Sequence, residues 1–148
     1  MSGHPEVLLD QASLAQVIEH LQSCDQAFVP SLGSQVDLHT YAEKITAKSK
    51  RFEAWADGRL IGLVAAYCND PLGCDAYITS VSVRGEWTGR GVANLLLDRC
   101  VRYARGAGFR RLRLEVGAGS AAAIHLYEKL GFVREAEPSE LVRMGLQL

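Results

Sequence analysis

Apolar residues recur along this chain with two periods, and the switches between them mark out its elements. Leu14, Val17, Ile18 and Leu21 repeat at helical spacing, predicting an amphipathic helix over 11–23 with Asp10 as a candidate cap. Residues 27–35, with Pro30 and Gly33, read as a loop. Leu38, Tyr41, Ala42 and Ile45 share one face of a second helix over 37–49, capped by Asp37, with Glu43, Lys44 and Lys48 turned to water. Residues 51–56 and 60–68, joined by Asp57-Gly58, carry the signature of a β-hairpin with a primed turn. Residues 69–73 form the next turn, and the β-branched stretch 76–83 continues the meander.

At Gly91 the period changes from two to 3.6. Val92, Ala93, Leu96, Leu97, Cys100, Val101 and Ala104 line one side of a helix running to about Arg105, which Gly106 and Gly108 end. A strand over 111–116, a helix over 120–130 capped by Ser120 and closed by Gly131, and strands over 132–135 and 141–148 follow. Antiparallel strands followed by a strand-helix-strand crossover imply an α/β fold: one mixed sheet with helices on both faces. Function is expected where the pairing changes from antiparallel to parallel.

Composition narrows the classes. With 148 residues and 48% of them apolar, one domain over 1–148 is expected. The formal charge of -1 supplies no basic field for nucleic acid, and no apolar run is long enough to span a bilayer, so no nucleic-acid or membrane partner and a cytoplasmic location are expected. Cys24, Cys68, Cys74 and Cys100 form no CxxC pair and have no His at ligand spacing, so they read as reduced, mostly packing thiols and no metal is expected.

The segment Val81-Ser82-Val83-Arg84-Gly85-Glu86-Trp87-Thr88-Gly89-Arg90-Gly91-Val92-Ala93-Asn94 runs from a strand end through a loop into a helix whose first turn is small-residued. Unpaired amides at that helix start, with the positive end of its dipole, suit an anion, and Gly89 and Gly91 let a pyrophosphate approach the backbone. Arg90 adds a candidate charge-assisted contact. GxxxxGK[ST] has no match, which removes a nucleotide P-loop. A dinucleotide fold remains an alternative, because residues 89–94 nearly fit GxGxxG and Glu115 follows on the next strand. Against it, residues 84–88 separate the strand from the glycines, and Asn94 replaces the third Gly.

Thr88-Gly89-Arg90-Gly91-Val92-Ala93 resembles the acetyl-CoA motif [QR]xxGx[GA] of the GCN5-related N-acetyltransferase (GNAT) superfamily, with Thr88 in place of Gln or Arg. Leu114-Glu115-Val116, Ser120 and the run from Ala123 to Phe132 are similar to that family's LxV, N, AxxLYxKxGF pattern, with Ser120 in place of Asn. The resemblance covers about residues 51–132. It implies a GNAT-like acyltransferase fold with splayed central parallel strands, and acetyl-CoA-dependent N-acetylation of a primary amine of a small molecule. It implies Val81, Ser82 and Val83 along the pantetheine arm, with Val81 and Val83 as backbone partners and an amide near Val81 as oxyanion donor. Thr88, Gly89, Arg90, Gly91, Val92, Ala93, Asn94 and Ser120 are then the rest of the cofactor site, and Tyr127 protonates the leaving sulfur. Members often carry a Glu on the strand before the loop; Asp75, Tyr77 and Thr79 stand there instead, so Tyr77 or Asp75 is the candidate proton relay. The acceptor pocket is expected between residues 28–41 and 67–75, with Asp37, Tyr41, Asn69 and Asp70 facing a cation. Alternatives are a protein or peptide acceptor, and a non-catalytic acyl-CoA-binding module. The terminal strands are candidates for pairing in a homodimer.

Overall fold

The computed structural model describes residues 5–24, 37–135 and 141–148. Its centre is a seven-stranded sheet in the order β1-β2-β3-β4-β5-β7-β6. The strands are β1 (Glu6–Leu9), β2 (Lys50–Ala56), β3 (Arg59–Tyr67), β4 (Asp75–Val83), β5 (Arg111–Gly117), β6 (Val133–Arg134) and β7 (Leu141–Gln147). The helices are α1 (Leu14–Cys24), α2 (Leu38–Lys48), α3 (Val92–Gly106) and α4 (Ala121–Lys129), with a short 3-10 turn over Gly85–Trp87. The mixed sheet with helices on both faces is therefore present. The expected loop over 27–35 lies outside the described residues.

At the N-terminus the structure adds one short strand and corrects one sequence expectation. The first strand is β1, which precedes α1 and pairs antiparallel with β2 from Glu6↔Trp55 to Leu9↔Phe52. Its four residues are too short for an alternation signal and form only because β2 offers an edge. Asp10 does not cap α1: it sits at φ 53 and accepts from Arg51 N at 2.7 Å. Ser13 takes that place, its Oγ accepting from Gln16 N while Gln16 Oε1 accepts from Ser13 N, a reciprocal pair at the helix start.

Burial divides the core in two. Phe52, Ala54, Val64 and Ala66 meet Val92, Leu96, Leu97 and Cys100 of α3 in the larger cluster, which Ile124, Tyr127 and Phe132 extend. Val17 and Leu21 of α1, Ala42 and Ile45 of α2, and Leu63 and Ala65 of β3 form the other. Helix α3 lies so close to β3 that a Cβ on Gly62 would stand 2.7 Å from Val92 Cγ1, so this glycine sets the height of the helix above the sheet. A buried ion pair ties α2 and the turn before α1 to β2. Glu53, fully buried, accepts from Arg51 Nε, Trp55 Nε1 and the amides of Gln11 and Ala12, and Arg51 donates onward to Thr46 O and Ala12 O.

The pairing of the two parallel strands is short. β4 and β5 are in register from Asp75↔Arg111 to Ile78↔Leu114 and no further, although both strands continue. β5 stays paired to β7 through Gly117↔Leu141, and β4 to β3 through Val83↔Gly62. The β3–β4 register shifts between Ala65 and Ala66, whose partners are Ser80 and Ile78, so Thr79 is the extra, bulged residue. A bulge bends the strand that carries it, and here it bends β4 away from β5 at the residue where their pairing ends. The result is a wedge-shaped gap in the middle of the sheet.

Candidate active site

The two walls of the gap differ in what they offer. Arg84 N donates to Ile61 O at 2.9 Å. By the alternation of an antiparallel ladder, Ser82 then also faces β3, while the main-chain groups of Val81 and Val83 turn the opposite way, into the gap. The Ser82 side chain is buried and lies 2.9 Å from His20 Nε2. His20 Nδ1 is 3.1 Å from Leu60 O, which only accepts, so Nδ1 carries the proton and Ser82 Oγ donates to Nε2. Burial pushes the His20 pKa down to about 4, so the ring is neutral.

At the mouth of the gap, on the α3 side, the chain turns through Gly89 and Gly91 at φ 77 and 79. Gly91 takes the N-cap position of α3 and brings no side-chain cap, and Leu95 N is the first amide to bond back, to Gly91 O. The amides of Val92, Ala93 and Asn94 therefore precede the hydrogen-bond ladder, with the helix dipole behind them. A Cβ built on Gly89 or Gly91 meets no heavy atom within 4 Å, so the space before those amides is open. This donor set fits a pyrophosphate. Two side chains assigned to the same loop are otherwise engaged. The Thr88 hydroxyl donates to Gly85 O at 2.8 Å, closing the 3-10 turn, and the Arg90 guanidinium stacks 4.7 Å from the centroid of the buried Trp87 ring. Ser120 stands at the N-cap of α4, its carbonyl accepting from Ile124 N, without a side-chain cap bond.

Tyr127 projects from α4 into the larger core cluster, with its ring 5.9 Å from that of Phe132. Only 6% of it is exposed. Burial pushes its pKa up to about 12, so at neutral pH the phenol keeps its proton.

The opposite face of β4 and β5 carries a grid of charged side chains. Tyr77 donates to Glu115 Oε1 at 3.2 Å, and Arg143 Nε donates to Glu115 Oε2 at 3.1 Å. Arg111 binds Asp75 through two bonds of 2.9 and 3.1 Å, and Arg113 reaches Asp75 at 3.5 Å and Glu135 at 2.8 Å. Glu135 reaches across β7 because residue 145 is a glycine: a Cβ there would overlap its carboxylate. Asp75, Tyr77, Arg113, Leu114, Glu115 and Arg143 enclose an open cavity of about 450 Å³. Burial, then the neighbouring Glu115 charge, pushes the Tyr77 pKa up to about 12, so the phenol keeps its proton and stays a hydrogen-bond donor to Glu115.

In the sequence, Glu115 stands out only as the acid of the dinucleotide alternative and as part of Leu114-Glu115-Val116, with no catalytic role. It is the first residue of β5 beyond the paired stretch, so it stands at the gap, whereas Asp75 stands at the far end of that stretch and is held by two arginines. The signal was present in the alternation of Arg111, Arg113 and Glu115 against Leu112, Leu114 and Val116, which puts the charged set on one face.

The residues assigned to the acceptor pocket are mostly spent locally. Asp37 caps α2, accepting from His39 N and Thr40 Oγ1. Asp70 closes its turn by accepting from the amides of Leu72, Cys74 and Asp75, and Asn69 is exposed beside it. The Tyr41 hydroxyl bonds the Thr79 carbonyl at 2.6 Å. The pocket wall expected over 28–36 lies outside the described residues. Among the described residues no cluster suited to a metal ion occurs, and no helix is long and apolar enough to cross a membrane.

Comparison with known proteins identifies this architecture. An uncharacterised N-acetyltransferase of Methanocaldococcus jannaschii is 31% identical over 101 residues, covering 66% of this chain and 43% of its own length. The chain spans less than half the length of the curated relatives it matches. The PaiA N-acetyltransferase from Thermoplasma acidophilum, solved with coenzyme A, superposes with a TM-score of 0.76 over 97% of this chain and 99% of that one, at 16% identity. A ribosomal-protein-alanine N-acetyltransferase from Brucella melitensis does so with a TM-score of 0.71 over 95% and 99%, at 22% identity. The acetyltransferase (GNAT) family model matches residues 14–132, most of the sequence, and the chain belongs to the GNAT acetyltransferase family.

Proposed function

We propose that this protein is an acetyl-CoA-dependent N-acetyltransferase acting on a primary amine of a small molecule. One observation carries the reading: β4 and β5 separate after Ile78↔Leu114, and the gap has bare helix amides at one mouth and the Tyr77–Glu115 pair at the other. Acetyl-CoA, when bound, supplies an acetyl group activated as a thioester, whose C–S bond breaks as the C–N bond to the amine forms. The amides of Val92, Ala93 and Asn94 hold the pyrophosphate, and the main chain of Val81 and Val83 binds the arm within the gap. Val81 N–H also faces the negative charge that develops on the carbonyl oxygen. Glu115 accepts the proton that the amine loses, with Tyr77 and Arg143 holding its carboxylate in place. Tyr127, whose phenol still carries its proton at neutral pH, gives that proton to the departing thiolate. A small acceptor is favoured over a folded protein by the cavity beside Glu115, about 450 Å³, which is the size of a small-molecule site.

Thermal stability with acetyl-CoA, coenzyme A and NAD in parallel tests the cofactor, because a ligand that binds only the folded state raises the melt by mass action. Stabilisation by both coenzyme A forms and not by NAD is expected. Thiol release over an amine panel then separates an enzyme from a non-catalytic binding module; stabilisation without turnover on any amine or peptide would overturn the catalytic reading.

A further inference from the structure

The charged grid beside the gap indicates which amines the site takes. On this face, among the described residues, Arg111, Arg113 and Arg143 stand against Asp75, Glu115 and Glu135, so the charges are paired and sum to zero. A polycationic acceptor would gain little from such a lining, since every carboxylate already has a guanidinium beside it, whereas Arg143 meets Glu115 through Nε and keeps its two terminal nitrogens clear of that bond. An acceptor bearing both an amine and a carboxylate matches it group for group. The order of the strands supplies the spacing: Glu115 stands at the gap, where the amine must enter, and its register partner on β7 is Arg143, one strand further out. Arg143 meets Glu115 through Nε, and its side chain is 62% exposed. Arg113, one step back on the same face of β5, borders the same cavity. Guanidinium groups bind carboxylates by charge-assisted bonds in a fixed fork geometry.

We propose that the acceptor is an amino acid or a similarly small amino carboxylate, whose amine faces Glu115 and whose carboxylate is bound by Arg143 and Arg113. This inference rests on the N-acetyltransferase reading above. Its test uses the whole protein with acetyl-CoA and matched acceptors: tyrosine against tyramine, histidine against histamine, lysine against cadaverine, and an uncharged-side-chain peptide amine. The carboxylated member of at least one pair is expected to win in kcat/KM by about ten- to a hundredfold, the worth of one charge-assisted bond. Arg143→Gln and Arg113→Gln should shrink that ratio. Because both members of a pair use the same proton acceptor, a general loss of activity cancels from it. Equal or better use of the decarboxylated amines, transfer to the peptide alone, or a ratio unmoved in both variants would overturn the proposal while leaving the enzyme reading intact. No stabilisation by acetyl-CoA would overturn both.

Discussion

The Tyr41 hydroxyl, on α2, donates to the main-chain oxygen of Thr79 at 2.6 Å and lies 2.8 Å from the Thr79 Oγ1. Thr79 is the bulged residue at which β4 leaves β5, so this bond ties a helix on one face of the sheet to the residue that opens the gap. Burial pushes the Tyr41 pKa up to about 12, and the hydroxyl stays a donor at any ordinary pH.

Tyr41→Phe keeps the ring and removes that bond, leaving the Thr79 carbonyl without its side-chain donor. A loss of about 1–2 kcal/mol in stability is expected. Coenzyme A affinity should fall as well, because the bulge is less firmly held; isothermal titration measures it. A variant that melts lower but binds coenzyme A as before would show that the bulge is held by the sheet alone.

Tyr127→Phe separates packing from proton donation. The ring keeps its packing beside Phe132 in the larger core cluster, so the melting temperature should change little. If the phenol protonates the leaving sulfur, kcat should drop by about a hundred- to ten-thousandfold, read from thiol release at neutral pH. Unchanged kcat would leave Tyr127 as a core aromatic.

Gly91→Ala probes the amide cradle. Position 91 sits at φ 79, where a Cβ costs about 1 kcal/mol, yet the added methyl meets nothing in the protein itself. The apo melt should therefore fall modestly. The stabilisation that coenzyme A confers should shrink much more, because the methyl occupies the space assigned to the pyrophosphate. Equal shrinkage of both would argue against an anion at this helix start.

His20 ties fold stability to pH. Its pKa is about 4 in the fold, against 6.5 when free, chiefly because burial disfavours the charged ring. The unfolded chain thus binds the proton more readily, and the stabilisation present above about pH 6.5 drains away as pH falls toward 4. The loss from this one group is about 3 kcal/mol by pH 4. Melts recorded from pH 7 to pH 4 should fall more steeply for the native protein than for His20→Gln, which cannot take up the proton. Parallel curves would mean that other groups govern the acid limb.

Much of this protein follows from its sequence because the information is local. Helix spacing in 92–104, the hairpin at Asp57-Gly58, and the small residues from Gly89 to Ala93 act within a few positions of one another, and each predicts its element without a partner. Four features depended on residues far apart in the chain. β1 exists only against β2; the capping of α1 passes to Ser13 because Asp10 is drawn to Arg51; the gap opens because Thr79 bulges against β3; and Glu115 joins Tyr77, 38 positions earlier, only once β4 and β5 lie side by side. Periodicity records which face a residue takes, and that placed Arg111, Arg113 and Glu115 together. Which strand lies next to that face, and where the pairing stops, is set by the energy of the assembled sheet, and those two facts turn a row of charges into a candidate acceptor site.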